Sequence, residues 1–299
     1  MRSRFGFVVF LVLALIASAC TPQGSPAPTA VPLTELTATS TPEPTATVAP
    51  IPTAIAMHPP AITLNVFAAS SLTGAFGDIG KAFEARYPWV TITFNFAGSQ
   101  ALATQINSAA PADVFASANN SQMEVVTKAG RIDTSVPKPF VNNRLVAIYP
   151  RANPANIQTL QDLAKPGLKL ILADKTVPVG AYALKYLDNA ARDASLGANY
   201  KTDVLKNVVS YELDVKSVLT KVELGEADAG IVYTTDAATD TTSQTGQLAI
   251  PDALNVIAVY PIAVVKDSPN LSMAQAFVDY VLSVDGQAIL TRYGFIPIQ

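Results

Sequence analysis

The chain has 299 residues, of which 49% are apolar and 14% charged, and its net charge is −3 with one Cys and one His. That length gives room for a large folded body of one or two compact parts, while the balance of charge excludes the basic runs that neutralise nucleic-acid phosphates. A single Cys excludes an intrachain disulfide, and the single His58 lies in a Pro-rich stretch, away from any place where a catalytic or metal-ligating His is expected.

The N-terminus reads first. Arg2 and Arg4 form a basic start, Phe5 to Ala17 is an uncharged, mostly apolar run of 13 residues, and Ala17-Ser18-Ala19-Cys20 closes it. This layout predicts an export signal over residues 1–20, too short to be read first as a spanning helix. The small residues before Cys20 resemble the bacterial lipobox, which implies that Cys20 is acylated and anchors the protein to a membrane. Residues 21–60 then carry ten Pro and nine Thr with almost no charge. Such a stretch cannot bury a core and favours extended polyproline II, so it is expected to be a disordered tether reaching roughly 120 Å at about 3.1 Å per residue. Residues 61–299 remain as the folded part, with the same net charge of −3 because Arg2 and Arg4 balance Glu35 and Glu43. No second stretch is long and apolar enough to span a bilayer. Membrane contact is therefore expected through the lipid alone.

The folded part alternates strand and helix. Ile62 to Phe67 reads as a strand, and Leu72, Ala75, Phe76, Ile79, Ala82 and Phe83 then recur at helical spacing until Pro88. Val90 to Phe96 is a second strand, and Ala97-Gly98-Ser99 leads into a helix with Leu102 and Ile106 on one face. Asp113 to Ala118 is a third short strand, followed by a helix from Asn120 to Ala129 that Gly130 stops. Strands are predicted at 145–149, 168–173 and 229–233, and a helix from about Gly180. A further helix runs from Asp214 to Leu224 before Gly225, and Asn255 to Val265 is a β-rich run containing Pro261. Two helices, about 271–283 and 285–293, close the chain. This order predicts an α/β protein with largely parallel sheets and a small-ligand site at the carboxyl ends of strands, beside helix N-termini.

Several of those turns carry small residues or hydroxyls: Ser70-Ser71, Gly98-Ser99, Val179-Gly180 and Asp214-Val215. A helix N-terminus offers unpaired backbone N–H groups and a positive dipole end, and a hydroxyl adds a donor, so such turns can hold an anion without Lys or Arg. Each residue taken alone is equally an ordinary helix cap, and Tyr233 at a strand end is equally a packing residue.

The turns together carry a resemblance. Phe67-Ala-Ala-Ser-Ser-Leu-Thr-Gly-Ala-Phe76, Phe96-Ala-Gly-Ser-Gln-Ala-Leu-Ala-Thr-Gln-Ile106 and Ala110-Pro-Ala-Asp-Val-Phe-Ala-Ser-Ala118 resemble the first lobe of the periplasmic molybdate-binding proteins of ABC importers. Val177-Pro-Val-Gly-Ala-Tyr-Ala183, Asp214-Val215 and Gly230-Ile-Val-Tyr-Thr-Thr-Asp236 resemble their second lobe. Tyr260-Pro-Ile-Ala-Val264 and Arg292-Tyr-Gly-Phe295 resemble their closing segments. The likeness runs in order through residues 61–299. It implies a two-lobed type II periplasmic-binding-protein fold, with two α/β domains joined by crossover strands near 142–148 and 256–264. Lobe I would comprise 61–143 plus 260–299, and lobe II 144–259. Carried over position by position, Ser71 and Ser99 would donate to the oxyanion from the first lobe, Val179 and Val215 would donate backbone N–H groups from the second, and Tyr233 would donate its hydroxyl.

The resemblance further implies an extracytoplasmic, lipid-anchored monomer that captures molybdate or tungstate for an ABC importer permease. It implies no separate cofactor, no free metal cation and no catalytic residues. The chain departs from the family's usual pattern at Val179, where alanine is frequent, at Gly98 and Gln100 around Ser99, and at Asn119, where Asp is frequent. The alternative on the same architecture is a binder of sulfate or another small oxyanion. Iron capture would want converging carboxylate, Tyr or His ligands, which these turns do not offer. Nucleophilic serine catalysis would need a base beside Ser71 or Ser99, and residues 61–299 contain no His. A purely adhesive protein on a Thr/Pro stalk would give the small-residue turns no reason to converge.

Overall fold

A computed structural model describes residues 60–238 and 244–298. The export signal, Cys20 and the tether up to residue 59 lie outside the described residues.

The first sheet forms because apolar residues alternate along its strands. In β1 (Ile62–Ala69), Leu64, Val66 and Ala68 pack on one face while Phe67 packs on the other. The first face receives α1 (Thr73–Arg86), entered through a short 3₁₀ turn at Ser70–Leu72, and Phe76, Ile79 and Phe83 point into it. The opposite face receives α2 (Ser99–Asn107) and α3 (Asn120–Lys128), whose Leu102, Ile106 and Val126 pack with Phe67 and Phe115. Between these lie β2 (Val90–Ala97) and β3 (Val114–Ala116), both parallel to β1.

The chain then runs through β4 (Lys138–Asn143) and, after Arg144 alone, β5 (Leu145–Pro150), which belongs to a second sheet. That sheet adds β6 (Leu170–Ala173), α4 (Pro178–Ala190), α5 (Tyr200–Lys206), β7 (Val208–Glu212) and α6 (Val215–Glu223). It continues with β8 (Ala229–Tyr233), α7 (Thr234–Ala238) and β9 (Thr245–Ala249). Every residue of β6 and β8 is buried, as expected of inner strands covered on both faces. The chain returns to the first sheet as β10 (Ala258–Val264), then α8 (Leu271–Leu282), α9 (Val284–Arg292) and β11 (Ile296–Pro297). Phe277 of α8 meets Phe76 and Phe83 with ring centroids 6.0 and 5.4 Å apart, tying the C-terminus into the first core.

The strand orders are β11-β4-β10-β3-β1-β2 and β7-β6-β8-β5-β9, and the chain forms a two-lobed α/β fold of the type II periplasmic-binding-protein kind. The expectation of largely parallel sheets is corrected. β10 runs antiparallel to β3 and β4, β11 antiparallel to β4, and β5 antiparallel to β8 and β9. The cause is the traffic between lobes: strands that enter or leave a lobe run against those that βαβ units lay down in parallel. The strands β4, β7 and β9 and the helix α5 are absent from the sequence expectation. In β7 and β9, which edge the second sheet, no residue is fully buried, so their apolar signal is weak. Asn255 ties the two crossings together, accepting from the Leu145 N–H at 3.0 Å and donating to the Leu145 carbonyl at 2.9 Å.

Candidate functional site

Four turns meet where the lobes face each other. The first follows β1, where Ser71 sits in the 3₁₀ turn ahead of α1. The second is Gly98-Ser99, with Gly98 as the cap of α2 and Ser99 its first residue. In the second lobe, α4 begins at Pro178 rather than near Gly180. Proline suits a first helical position because its fixed φ matches the helix and the N–H it lacks has no intrahelical partner there. Val179 is then the second helical residue, within the turn whose N–H groups have no carbonyl to bond. The fourth turn begins α6 at Val215, with the Asp214 carboxylate as cap, accepting from the Ser217 N–H at 3.0 Å.

Ser71, Ser99, Val179, Val215 and Tyr233 all line one small cavity, with about 190 Å³ of atom-free space including its mouth. All five are buried. Ala118 and Pro178, which the sequence expectation omits, line it as well. The cavity wall offers hydroxyls and helix starts, and no charged side chain lines it. Among the described residues, no group of three or more His, Cys, Asp or Glu stands together as a metal site.

Each hydroxyl has a defined state. The Ser99 Oγ accepts from the Ala118 N–H at 3.0 Å, which leaves its own proton free to be donated. The Ser71 Oγ lies 3.0 Å from the Tyr260 hydroxyl. The Tyr233 hydroxyl is buried and makes no hydrogen bond among the described residues. Its ring stands 5.7 Å from that of Tyr260, and the two hydroxyls perturb each other without reaching hydrogen-bond geometry. Burial first, and Tyr260 second, push the Tyr233 phenol well above its ordinary range, so it stays a protonated donor at neutral pH. Behind it, Asp236 is fully buried and pairs with Lys216 at 2.9 Å. Burial raises the Asp236 carboxyl, and the Lys216 ammonium opposes that shift. The cation next to the α6 start is thus already matched by a carboxylate.

Two side chains close the lobes over the cavity. Gln100 Nε2 donates to the Leu213 carbonyl at 2.7 Å, and Gln122 Nε2 donates to the Thr176 carbonyl at 3.0 Å. These carbonyls stand just ahead of the α6 and α4 starts. Two departures from the family pattern thereby acquire a physical role. Gln100 bridges the lobes, and Asn119 caps α3 by accepting from the Gln122 N–H at 2.9 Å.

The chain matches the family model described as bacterial extracellular solute-binding protein over residues 64–296. It is 40% identical over 235 residues to the molybdate-binding protein ModA of Mycobacterium tuberculosis, covering 79% of this chain and 85% of that one. Among solved structures, it is similar to the periplasmic molybdate-binding protein of Azotobacter vinelandii, with a TM-score of 0.67 at 19% identity, covering 79% of this chain and 100% of that one. It is similar too to the sulfate-binding protein SubI of Mycobacterium tuberculosis, with a TM-score of 0.72 at 19% identity, covering 80% and 88%. At 19% identity, these two likenesses speak for the fold alone. With the family model spanning both lobes and the cavity between them, the chain belongs to the bacterial extracellular solute-binding protein family.

Proposed function

We propose that this protein captures molybdate, and also tungstate, outside the cytoplasm and delivers it to the permease of an ABC importer. The observation that carries this reading is the buried Tyr233 hydroxyl, unpartnered among the described residues, in a cavity that Ser71, Ser99, Val179 and Val215 also line. An unpaired buried hydroxyl costs stability unless something bonds it. A bound dianion supplies acceptors for it and for the helix N-termini together. The 40% identity to a protein named as molybdate-binding supports the choice of anion.

The two serines, whose oxygens already have partners behind the cavity, also give selectivity. Hydrogen phosphate carries a proton that would meet no partner at Ser71 or Ser99, which weakens its binding. Sulfate has no such proton and has to be discriminated by size; tungstate nearly matches molybdate and should bind as well. Val179 lines the pocket where alanine is frequent, so Val179→Ala should keep the backbone N–H and bind at least as well. The purified chain should gain thermal stability with molybdate and tungstate, by about 2.7 kcal/mol at 100 times the dissociation constant. Sulfate should protect much less and phosphate not at all. A thermal-shift panel in which sulfate protects most would instead support the alternative reading, a sulfate carrier on the same fold.

The rest of the chain fits the same assignment. The binding body is read as a monomer with lobe I at 61–143 plus 260–299 and lobe II at 144–259, and no enzymatic step is assigned to it. Residues 21–60 serve as tether, and Cys20 carries the lipid anchor. Cys20→Ser should abolish acylation and release or mislocalise the protein while leaving molybdate affinity unchanged. Metabolic labelling with a fatty-acid analogue checks this, and equal labelling of the wild type and the Cys20 variant would refute it.

A further inference from the structure

The wall behind Ser71 holds a chain of hydrogen bonds whose direction can be read. Asn143, at the end of β4, is fully buried. Its Oδ1 accepts from the Arg144 backbone N–H at 2.9 Å and from the Thr234 hydroxyl at 3.1 Å. A backbone N–H can only donate, so this contact fixes which end of the Asn143 amide is oxygen. The Nδ2 end therefore faces the other way, donating to the Thr235 hydroxyl at 2.8 Å and to the Tyr260 hydroxyl at 3.4 Å. Tyr260 is itself fully buried, and burial pushes its phenol up, so it remains protonated. Its oxygen receives from Asn143, and among the described residues its proton has one neighbour left within hydrogen-bond distance, the Ser71 Oγ at 3.0 Å. Of the two directions the Ser71–Tyr260 contact allows, donation from Tyr260 to Ser71 is the one that pairs both of these O–H groups once an anion sits in the cavity.

We infer that Asn143 and Tyr260 are positioning residues that fix Ser71 as an obligate donor into the cavity between the lobes. The relay runs from the Asn143 amide through the Tyr260 hydroxyl to the Ser71 hydroxyl and ends on the bound anion. Its polarity is set by the Arg144 N–H, outside the cavity. Two consequences follow for Ser71. Its proton is turned toward the ligand before binding, so no rotor has to be ordered at capture. Its hydroxyl is also polarised by the bond it receives, which strengthens the bond it gives. Ser99 reaches the same state by a shorter route, since the Ala118 N–H occupies its oxygen directly. Asn143 joins β4 to residues of α7 in the second lobe, so the relay also links the crossing to the site. This inference rests on the oxyanion reading of the cavity, and its test separates the two.

The test is a double-mutant cycle on the full chain in detergent, with molybdate affinity read by titration calorimetry. Tyr260→Phe alone should weaken binding about tenfold, the size of losing one polarising hydrogen bond. In a Ser71→Ala background, the same change should shift affinity by less than about twofold, because the relay no longer has an end group to act on. Equal losses in the two backgrounds would mean that Tyr260 merely supports the wall, and would overturn the relay. If Ser71→Ala binds molybdate as tightly as wild type, the oxyanion reading of Ser71 fails first, and the relay with it. Should Tyr260→Phe not fold, a fluorotyrosine at position 260, a stronger donor in the same shape, decides the matter. Affinity should rise with Ser71 present and stay unchanged in Ser71→Ala; a response that is the same in both overturns the relay.

Discussion

Replacing Tyr233 with Phe should weaken molybdate binding about 10- to 150-fold while leaving the unliganded protein as stable as before, or up to about 1 kcal/mol more stable. The two effects have one source. The Tyr233 hydroxyl is buried without a hydrogen-bond partner among the described residues, so deleting it from the unliganded protein breaks none of the bonds seen there and removes an unpaired polar group. In the loaded protein, the same deletion removes a donor to a charged acceptor, worth about 1.5–3 kcal/mol. Ser99→Ala should differ in a telling way. It costs a comparable amount of affinity, but it also strips the Ala118 N–H of its acceptor. A buried N–H left without a partner costs about 1–3 kcal/mol, so this variant should melt earlier even without ligand. Calorimetric titration beside ligand-free thermal melts checks the pair. Tyr233→Phe with wild-type affinity would remove Tyr233 from the site.

Valine at position 98 should reduce molybdate affinity about 10- to 150-fold without touching any proposed donor, and alanine should do the same to a smaller degree. The reason is the closeness of the lobes. A Cβ built on Gly98 would stand 2.4 Å from the Leu213 carbonyl oxygen across the cleft, and that oxygen belongs to backbone, which cannot swing aside. The Gly98 backbone, with φ −59° and ψ 137°, is open to any residue, so the substitution strains the closed pair of lobes rather than its own turn. The same carbonyl accepts from Gln100, so a lobe held back at position 98 loses that bridge as well. Closure is what lets donors on both lobes reach one anion, and a ligand that favours the closed form shifts the population toward it. Small-angle scattering should show molybdate-induced compaction in the wild type and a reduced response in Gly98→Val. A full-size compaction with wild-type affinity in that variant would show that the lobes close elsewhere.

What the sequence determined by itself was local. The apolar alternation of β1, the helical spacing of α1 and the glycines that end α3 and α6 could all be read from neighbours in the chain. So could the four turns whose N–H groups lack carbonyls, because helix starts and stops depend on backbone geometry over a few residues. The resemblance then named Ser71, Ser99, Val179, Val215 and Tyr233, and the structure brings those five around one cavity. What only the tertiary structure decided was everything that joins distant positions. The antiparallel return of β10 beside β4, the reach of Gln100 to Leu213 and the contact of Ser71 with Tyr260, 189 residues apart, leave no periodic mark in the chain. The state of each hydroxyl belongs to the same class. Ser71 and Ser99 look alike in sequence, yet one oxygen contacts a phenol and the other accepts a backbone N–H, while Tyr233 is left with its proton unshared. A hydroxyl's role is set by the partners that packing brings to it, and packing is fixed by long-range burial that no local pattern encodes.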